Sequence, residues 1–233
     1  MTASEALLEC GAECLPVNVP AAAQRFGVKM IGYSDFVRLY DLDRQYIYEN
    51  ISYGGFSVML EGSYICVINE ELCGAARRRW TSAHELGHIL SGHITGERQC
   101  ITVNDEREAD CFAAEFLAPL TVLHFCGVSS ALEVEELCRI SHQAAEIRYR
   151  ELSARRRLQE ELFRGKMRGS GAEPQAPYGF LGDSTELALL VRFAPFIGSY
   201  LAKRSMHDSY EKYLCQLKKQ PMSIWSPLKT SFE

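Results

Sequence analysis

The sequence predicts an α+β fold in which a small antiparallel β-sheet lies beside a helix carrying His84-Glu85-Leu86-Gly87-His88. Three observations lead there. From Arg79 to Leu90, Trp80, Ala83, Leu86, Ile89 and Leu90 supply an apolar surface, the mark of a helix that buries. From Asp105 to Ala118, Ala109, Phe112, Ala113, Phe116 and Leu117 recur at helical spacing, and Pro119 stops the run. Phe56-Ser57-Val58-Met59-Leu60 and Tyr64-Ile65-Cys66-Val67-Ile68 are β-rich runs separated by Glu61-Gly62-Ser63, which reads as a hairpin.

The remaining elements follow in chain order. Residues 3–13 read as a short helix with Ala6, Leu7 and Cys10 on one side. Pro16 to Pro20 is an extended connector, and a helix starts near Pro20, where proline suits the first turn, and stops at Gly27. Val28-Lys29-Met30-Ile31 is a strand. Residues 34–50 are mixed, with Ser34 a cap for a short helix over Asp35 to Leu39. Gly54-Gly55 marks a turn. Arg77-Arg78-Arg79 reads as solvated charge before a helix, with binding of an anion or acidic substrate as the other reading. Beyond Pro119, Thr121 to Phe125 adds a helical turn, Leu132 to Arg139 a helix, and Ser141 caps a helix over His142 to Leu152. Gly165 to Gly182 is rich in Gly, Pro and Ser and reads as linker. Thr185 to Ala194 is helical, capped by Asp183 or Ser184. The apolar run to Leu201 is interrupted by Arg192 and Pro195, which favours core docking or a partner surface over a membrane span. The expected organisation is a domain over 1–163, a linker over 164–182 and a C-terminal extension over 183–233.

Composition narrows the function class. A chain of 233 residues, 47% hydrophobic and 24% charged, has the make-up of a soluble globular protein holding one core and a modest appendage. A net charge of −5 argues against a protein built to bind nucleic acid directly. The 9 cysteines are odd in number and form no C-x-x-C pair, so most of them read as buried small apolar side chains in a reducing compartment. The opening Met1-Thr2-Ala3-Ser4-Glu5 has neither a basic n-region nor a long apolar stretch and predicts no signal peptide.

The chemistry concentrates in the two central helices. His84 and His88 stand one helical turn apart and can aim two imidazoles at one ion, while Glu85 lies about 100° round the helix, beside the ion. This is the H-E-x-x-H pattern of zincins, in which the glutamate is the general base. A third ligand is required. The longer H-E-x-x-H-x-x-G-x-x-H pattern fails here, because its glycine position is Ser91 and its third histidine position is Ile94, with His93 one residue short. His93 instead reads as lying past the helix end at Gly92 and bonding locally. In the second helix Glu106 lies about 50° from the centre of the apolar face, whereas Glu108 and Glu115 lie beyond about 100°. Glu106 is therefore the expected third ligand, with Glu108 the alternative, and Glu108 and Glu115 otherwise solvated. Asp110, one turn after Glu106, is placed to orient a ligand histidine through its second ring N–H. An oxyanion donor is left open among His93, His124, His142 and a tyrosine.

Arg79-Trp80-Thr81-x-Ala83-His84-Glu85-Leu86-Gly87-His88-x4-His93, followed by Glu106-x-Glu108-Ala109-Asp110-x-Phe112-Ala113-Ala114-x-Phe116-Leu117-x-Pro119, resembles the ImmA/IrrE family of metallo-endopeptidases. Ala118 departs from the methionine usual before that proline. Weaker similarities lie in Leu15-Pro16-Val17 and in Ile140-Ser141-x-x-Ala144-Ala145-x-x-Arg148. The resemblance covers roughly residues 1–155. It implies a zincin-like, cytoplasmic, Zn²⁺-dependent endopeptidase with His84 and His88 as ligands, Glu85 as catalytic residue and an acid of the second motif as third ligand. It also implies a helix-turn-helix repressor of a mobile element or stress response as the protein substrate. The β-hairpin would then offer an edge strand to an extended substrate segment. The alternative expectation is a non-catalytic zinc-containing module that sequesters a regulatory partner.

Overall fold

The computed structural model describes residues 1–71, 74–95, 101–167 and 183–204. Its element order is α1 (Ala3–Glu9), α2 (Val19–Arg25), β1 (Lys29–Gly32), α3 (Tyr33–Tyr40), α4 (Arg44–Asn50), β2 (Gly55–Leu60), β3 (Ser63–Ile68), α5 (Ala75–Leu90), α6 (Val103–Leu117), α7 (Leu120–Phe125), α8 (Ala131–Cys138), α9 (His142–Met167) and α10 (Ser184–Lys203). This is an α+β fold, mostly helical around one three-stranded sheet.

The sheet has the order β1-β3-β2. The hairpin expected from the sequence is present: β2 pairs antiparallel with β3, Leu60 opposite Ser63. Glu61 and Gly62 turn it with φ of 51° and 76°, a two-residue connection whose left-handed backbone matches the twist of the strands. The sheet is mixed, however, rather than wholly antiparallel. β1 joins the far side of β3 in parallel, Lys29 opposite Ile65, because α3 and α4 carry the chain over the sheet before β2 begins. β2 is left as an edge strand on the side of α5.

Side chains of β3 alternate between two cores. Ile65 and Val67 face a small cluster with Tyr33, Phe36 and Ile47 under α3 and α4, while Cys66 points into the main helical core. Two elements in this layer differ from expectation. Residues 44–50 form α4, capped by Asp43 through the Gln45 amide (3.1 Å) and buried through Ile47 alone. Ser34 does not cap α3; the Glu70 carboxylate does, accepting from the amides of Tyr33 (2.7 Å) and Ser34 (2.9 Å).

α5 and α6 are the centre of the main core. Leu86 and Ile89 of α5 meet Phe112, Phe116 and Leu117 of α6. Gly87 decides how close they come: a Cβ there would stand 3.0 Å from the Phe112 ring. The expected C-terminal extension docks on this core, since α10 buries Leu187, Leu189, Leu190, Phe193, Ile197 and Leu201 and packs on α1 and α7. By length and composition alone α10 would also qualify as a membrane span. α9 runs on to Met167 across the expected boundary at 163, and the rest of the expected linker, with residues 205–233, lies outside the described residues. The cysteines among the described residues are all free thiols, and Cys66, Cys126 and Cys138 are buried.

Candidate metal centre

The two central helices run antiparallel, so that His84 meets Asp110 while His93, beyond the end of α5, meets Glu108. Within this register the Nε2 atoms of His84 and His88 stand 3.0 Å apart. Glu106 Oε2 lies 3.2 Å from His84 Nε2 and Oε1 lies 3.7 Å from His88 Nε2. Among the described residues, His84, His88 and Glu106 form a group able to hold a metal ion. A tetrahedral ion with bonds of about 2.0–2.1 Å separates its ligand atoms by roughly 3.4 Å, and the three observed separations bracket that value.

The outer hydrogen bonds show why these donors suit a cation. His84 Nδ1 lies 2.9 Å from Asp110 Oδ1; a carboxylate only accepts, so Nδ1 carries the proton and Nε2 presents a lone pair. On the other side His93 Nε2 lies 3.1 Å from Glu108 Oε2, and His93 Nδ1 lies 3.1 Å from His88 Nδ1. The same logic fixes the chain: His93 donates to Glu108 through Nε2, accepts at Nδ1 from His88, and leaves His88 Nε2 with its lone pair inward. Two inward lone pairs and a carboxylate at one point repel one another unless a cation lies between them.

Burial strengthens the arrangement. His88 is 1% and His93 2% exposed. Burial first, then the neighbouring His84 and His93, holds His88 down to about 4, so it is neutral at pH 7 as a ligand must be. Glu85 is buried beside the group, with its carboxylate accepting from Ser57 Oγ of β2 at 2.8 Å. Burial lifts Glu85 to about 7 against the opposing pull of the Ser57 hydroxyl and His84, with Glu106 adding to the rise. The group opens into a cleft of about 740 Å³ lined by Ser52, Tyr53, Gly54, Gly55, Arg77, Trp80 and Thr81 together with His84, Glu85, Glu106 and Asp110. An adjoining lobe of about 530 Å³ runs along Phe56, Ser57 and Val58 of β2 and reaches His88.

The structure brings together His84, Glu85, His88, Glu106 and Asp110. It places Glu108 away from the ion-binding point, on His93, and also on Asn104 Nδ2 (2.6 Å). Three expectations change. His93 is not a merely local group beyond the helix; Gly92, at φ 75°, turns it back beneath His88. Glu115 is not solvated, because it forms an ion pair with the buried Arg148 of α9 and accepts from the Leu120 amide at 3.3 Å. Arg77-Arg78-Arg79 is not uniformly solvated either: Arg79 is half-buried and donates through Nε to Cys138 O (3.2 Å), while Arg77 stands exposed at the cleft. Of the open oxyanion candidates, His124 accepts from Arg156 Nε (3.2 Å), His142 pairs with Glu135 (2.8 Å) and His93 lies behind His88, so none of the three faces the cleft. The tyrosine that lines it is Tyr53.

Sequence reasoning did not find Ser57 or the role of His93. Ser57 is one residue of a strand, with no pattern linking it to Glu85. Comparison with protein-family models and with curated proteins finds no match.

Proposed function

We propose that this protein is a zinc-dependent endopeptidase that hydrolyses a peptide bond of a protein substrate. The observation that carries this reading is Glu85: a buried carboxylate at the edge of the His84–His88–Glu106 group, held by Ser57, with an open cleft in front of it. A purely structural metal site closes all its positions and needs no base.

His84, His88 and Glu106 would hold the ion, two imidazoles and one carboxylate being a donor set that suits zinc. When bound, zinc polarises the scissile carbonyl and makes water acidic enough to be activated near neutral pH. Glu85 takes the proton of the attacking water and delivers it to the leaving amine. Ser57 fixes the Glu85 rotamer, and its strand is one of the two edges of the sheet. An extended substrate segment pairing with β2 would run along the cleft lobe that Phe56, Ser57 and Val58 line. Asp110 and the His93–Glu108 pair keep the two ligand histidines in the tautomer described above. Tyr53 is the cleft phenol for the developing oxyanion.

The two motifs extend the reading to the ImmA/IrrE kind of endopeptidase acting in the cytoplasm on a helix-turn-helix repressor. The test is metal content of the purified protein and of Glu85→Gln, with both incubated against helix-turn-helix repressors from the same genome. The expected result is one zinc per chain in each and a repressor cut only by the wild type. Zinc in both with no repressor cut would favour a sequestering module, and absence of zinc would end the metal reading.

A further inference from the structure

A second cavity, of about 370 Å³, opens two turns along the α5–α6 groove from the metal group. Its apolar walls are Trp80 of α5, Leu117 and Ala118 at the end of α6, and Ile140, Ala144 and Ile147 before and along α9. Trp80 and Arg77 line both this cavity and the metal cleft, so the two adjoin across these side chains.

Two of the polar groups of the cavity, Arg148 and Ser141, are engaged within the protein, while Arg77 and Gln143 stand exposed at its rim. Arg148 donates through Nε to Ala118 O (2.6 Å) and through Nη1 to Glu151 (2.7 Å), and its Nη2 pairs with Glu115. Ser141 Oγ accepts from the Ala144 amide at 3.3 Å. The cavity thus offers a ligand chiefly a ring and aliphatic side chains, with exposed polar groups at its rim. Ile147, 47% exposed on a wall of it, is apolar surface that a ligand would remove from water.

We propose that this cavity is a specificity subsite that takes one large apolar side chain of the protein substrate, such as Leu, Met or Phe. This rests on the endopeptidase reading above. Along α5 the rise from His84 to Trp80 is about 6 Å and to Arg77 about 10 Å. An extended peptide advances about 3.4 Å per residue, which sets the recognised side chain two to four residues from the scissile bond. Arg77 at the junction is then beside the intervening residues.

The test uses the zinc-loaded full chain and two series of short peptide hydroxamates, one with the hydroxamate at each end. Ala, Leu, Phe or Asp is scanned through the second to fourth positions from the hydroxamate. Acetohydroxamic acid, which reaches the metal alone, reports whether the metal end is intact. The expected result is that, in one series, Leu or Phe at one of these positions binds at least about tenfold tighter than Ala, from burial of one apolar side chain. Ile147→Asp, at an exposed position where folding is safe, and Ala144→Trp, which fills the cavity, each remove that preference. A preference absent from both series, or unchanged in both variants, overturns the subsite while leaving the metal reading in place. Failure of acetohydroxamic acid to bind the wild type overturns the metal reading and the subsite with it.

Discussion

Replacing His93 by alanine is the sharpest probe of the proposed metal centre, because His93 would touch no ligand atom at the ion and yet is hydrogen-bonded to a candidate ligand, His88. His88 donates through Nδ1 to His93 Nδ1 at 3.1 Å, and His93 passes the bond on to Glu108 at 3.1 Å. In His93→Ala the His88 Nδ1–H loses its acceptor in a place only 1% exposed, where water does not readily replace it. An unsatisfied buried donor costs about 1–3 kcal/mol. Loss of such an outer partner weakens metal binding by about 10–100-fold, or roughly 1.4–2.8 kcal/mol, so the two routes agree in size. Asp110→Ala removes the matching partner of His84, but the Asp110 side chain is 59% exposed and water can take over its bond. Its expected loss is therefore the smaller of the two. Zinc affinity by chelator competition measures both, and the visible spectrum of the cobalt-substituted protein reports whether the ligands still close around the ion. His93→Gln, which keeps an acceptor and a donor, should recover part of the loss. A zinc Kd for His93→Ala within about twofold of wild type would refute the hydrogen-bonded chain.

Glu106→Ala should lose bound zinc, whereas Glu108→Ala should keep it with an affinity reduced no more than in His93→Ala; metal analysis after dialysis distinguishes them, and the reverse result would make Glu108 the ligand. Gly55→Ala should destabilise the fold by about 1–3 kcal/mol in chemical denaturation, since its Cβ would stand 2.7 Å from Thr81 Cγ2 and 3.0 Å from the Val67 carbonyl, and β2 would have to lift off α5. Burial, with Arg156 and Arg155 adding to it, depresses His124 to about 3. The unfolded chain takes up that proton below about 6.5 and the folded chain does not until about 3, so this contribution is constant above about 6.5 and is lost as pH falls between the two. The slope is at most about 1.4 kcal/mol per pH unit, and His124→Gln should remove it from the stability profile measured between pH 6.5 and 4.5. An unchanged profile would show that His124 takes up its proton over the same pH range in the folded and unfolded chains, and would refute the depression.

The sequence made the metal helices readable because their signals are local. His84, Glu85 and His88 lie within one helical turn and a half, and the wheel of α6 separates Glu106 from Glu108 without reference to any other element. What could not be read depends on partners brought from elsewhere. The wheel placed Glu115 on the solvent side, and so it is with respect to α6 alone; Arg148 of α9 arrives from 33 residues away and buries against it. α4 carries a single buried residue, Ile47, so no apolar period announces it. β1 reads as a strand, but nothing in its four residues tells whether it will lie parallel or antiparallel to β3. His93 falls one residue short of a ligand pattern, so its spacing does not mark it, although a left-handed Gly92 is enough to fold it back under His88.

The two halves of the centre also explain why Gly87 stands between the histidines. His84 and His88 come from α5, Glu106 and Asp110 from α6, and their atoms meet within about 3–4 Å only if the helices are in close contact at the level of the site. Gly87 faces Phe112 at that level, on the apolar side of α5, where any Cβ would press on the ring. The packing that holds the main core together is thus the packing that sets the ligand spacing, and the same two helices carry both. An ion bound between them would bind the folded chain and not the unfolded one, so its occupancy and the stability of the α5–α6 contact would rise together. Glu85 needs the third component, the sheet, because Ser57 of β2 is what holds its carboxylate. The catalytic reading therefore places ligand geometry in the helix pair and the position of the base in the helix–sheet contact, where Gly55 lets the edge strand approach α5.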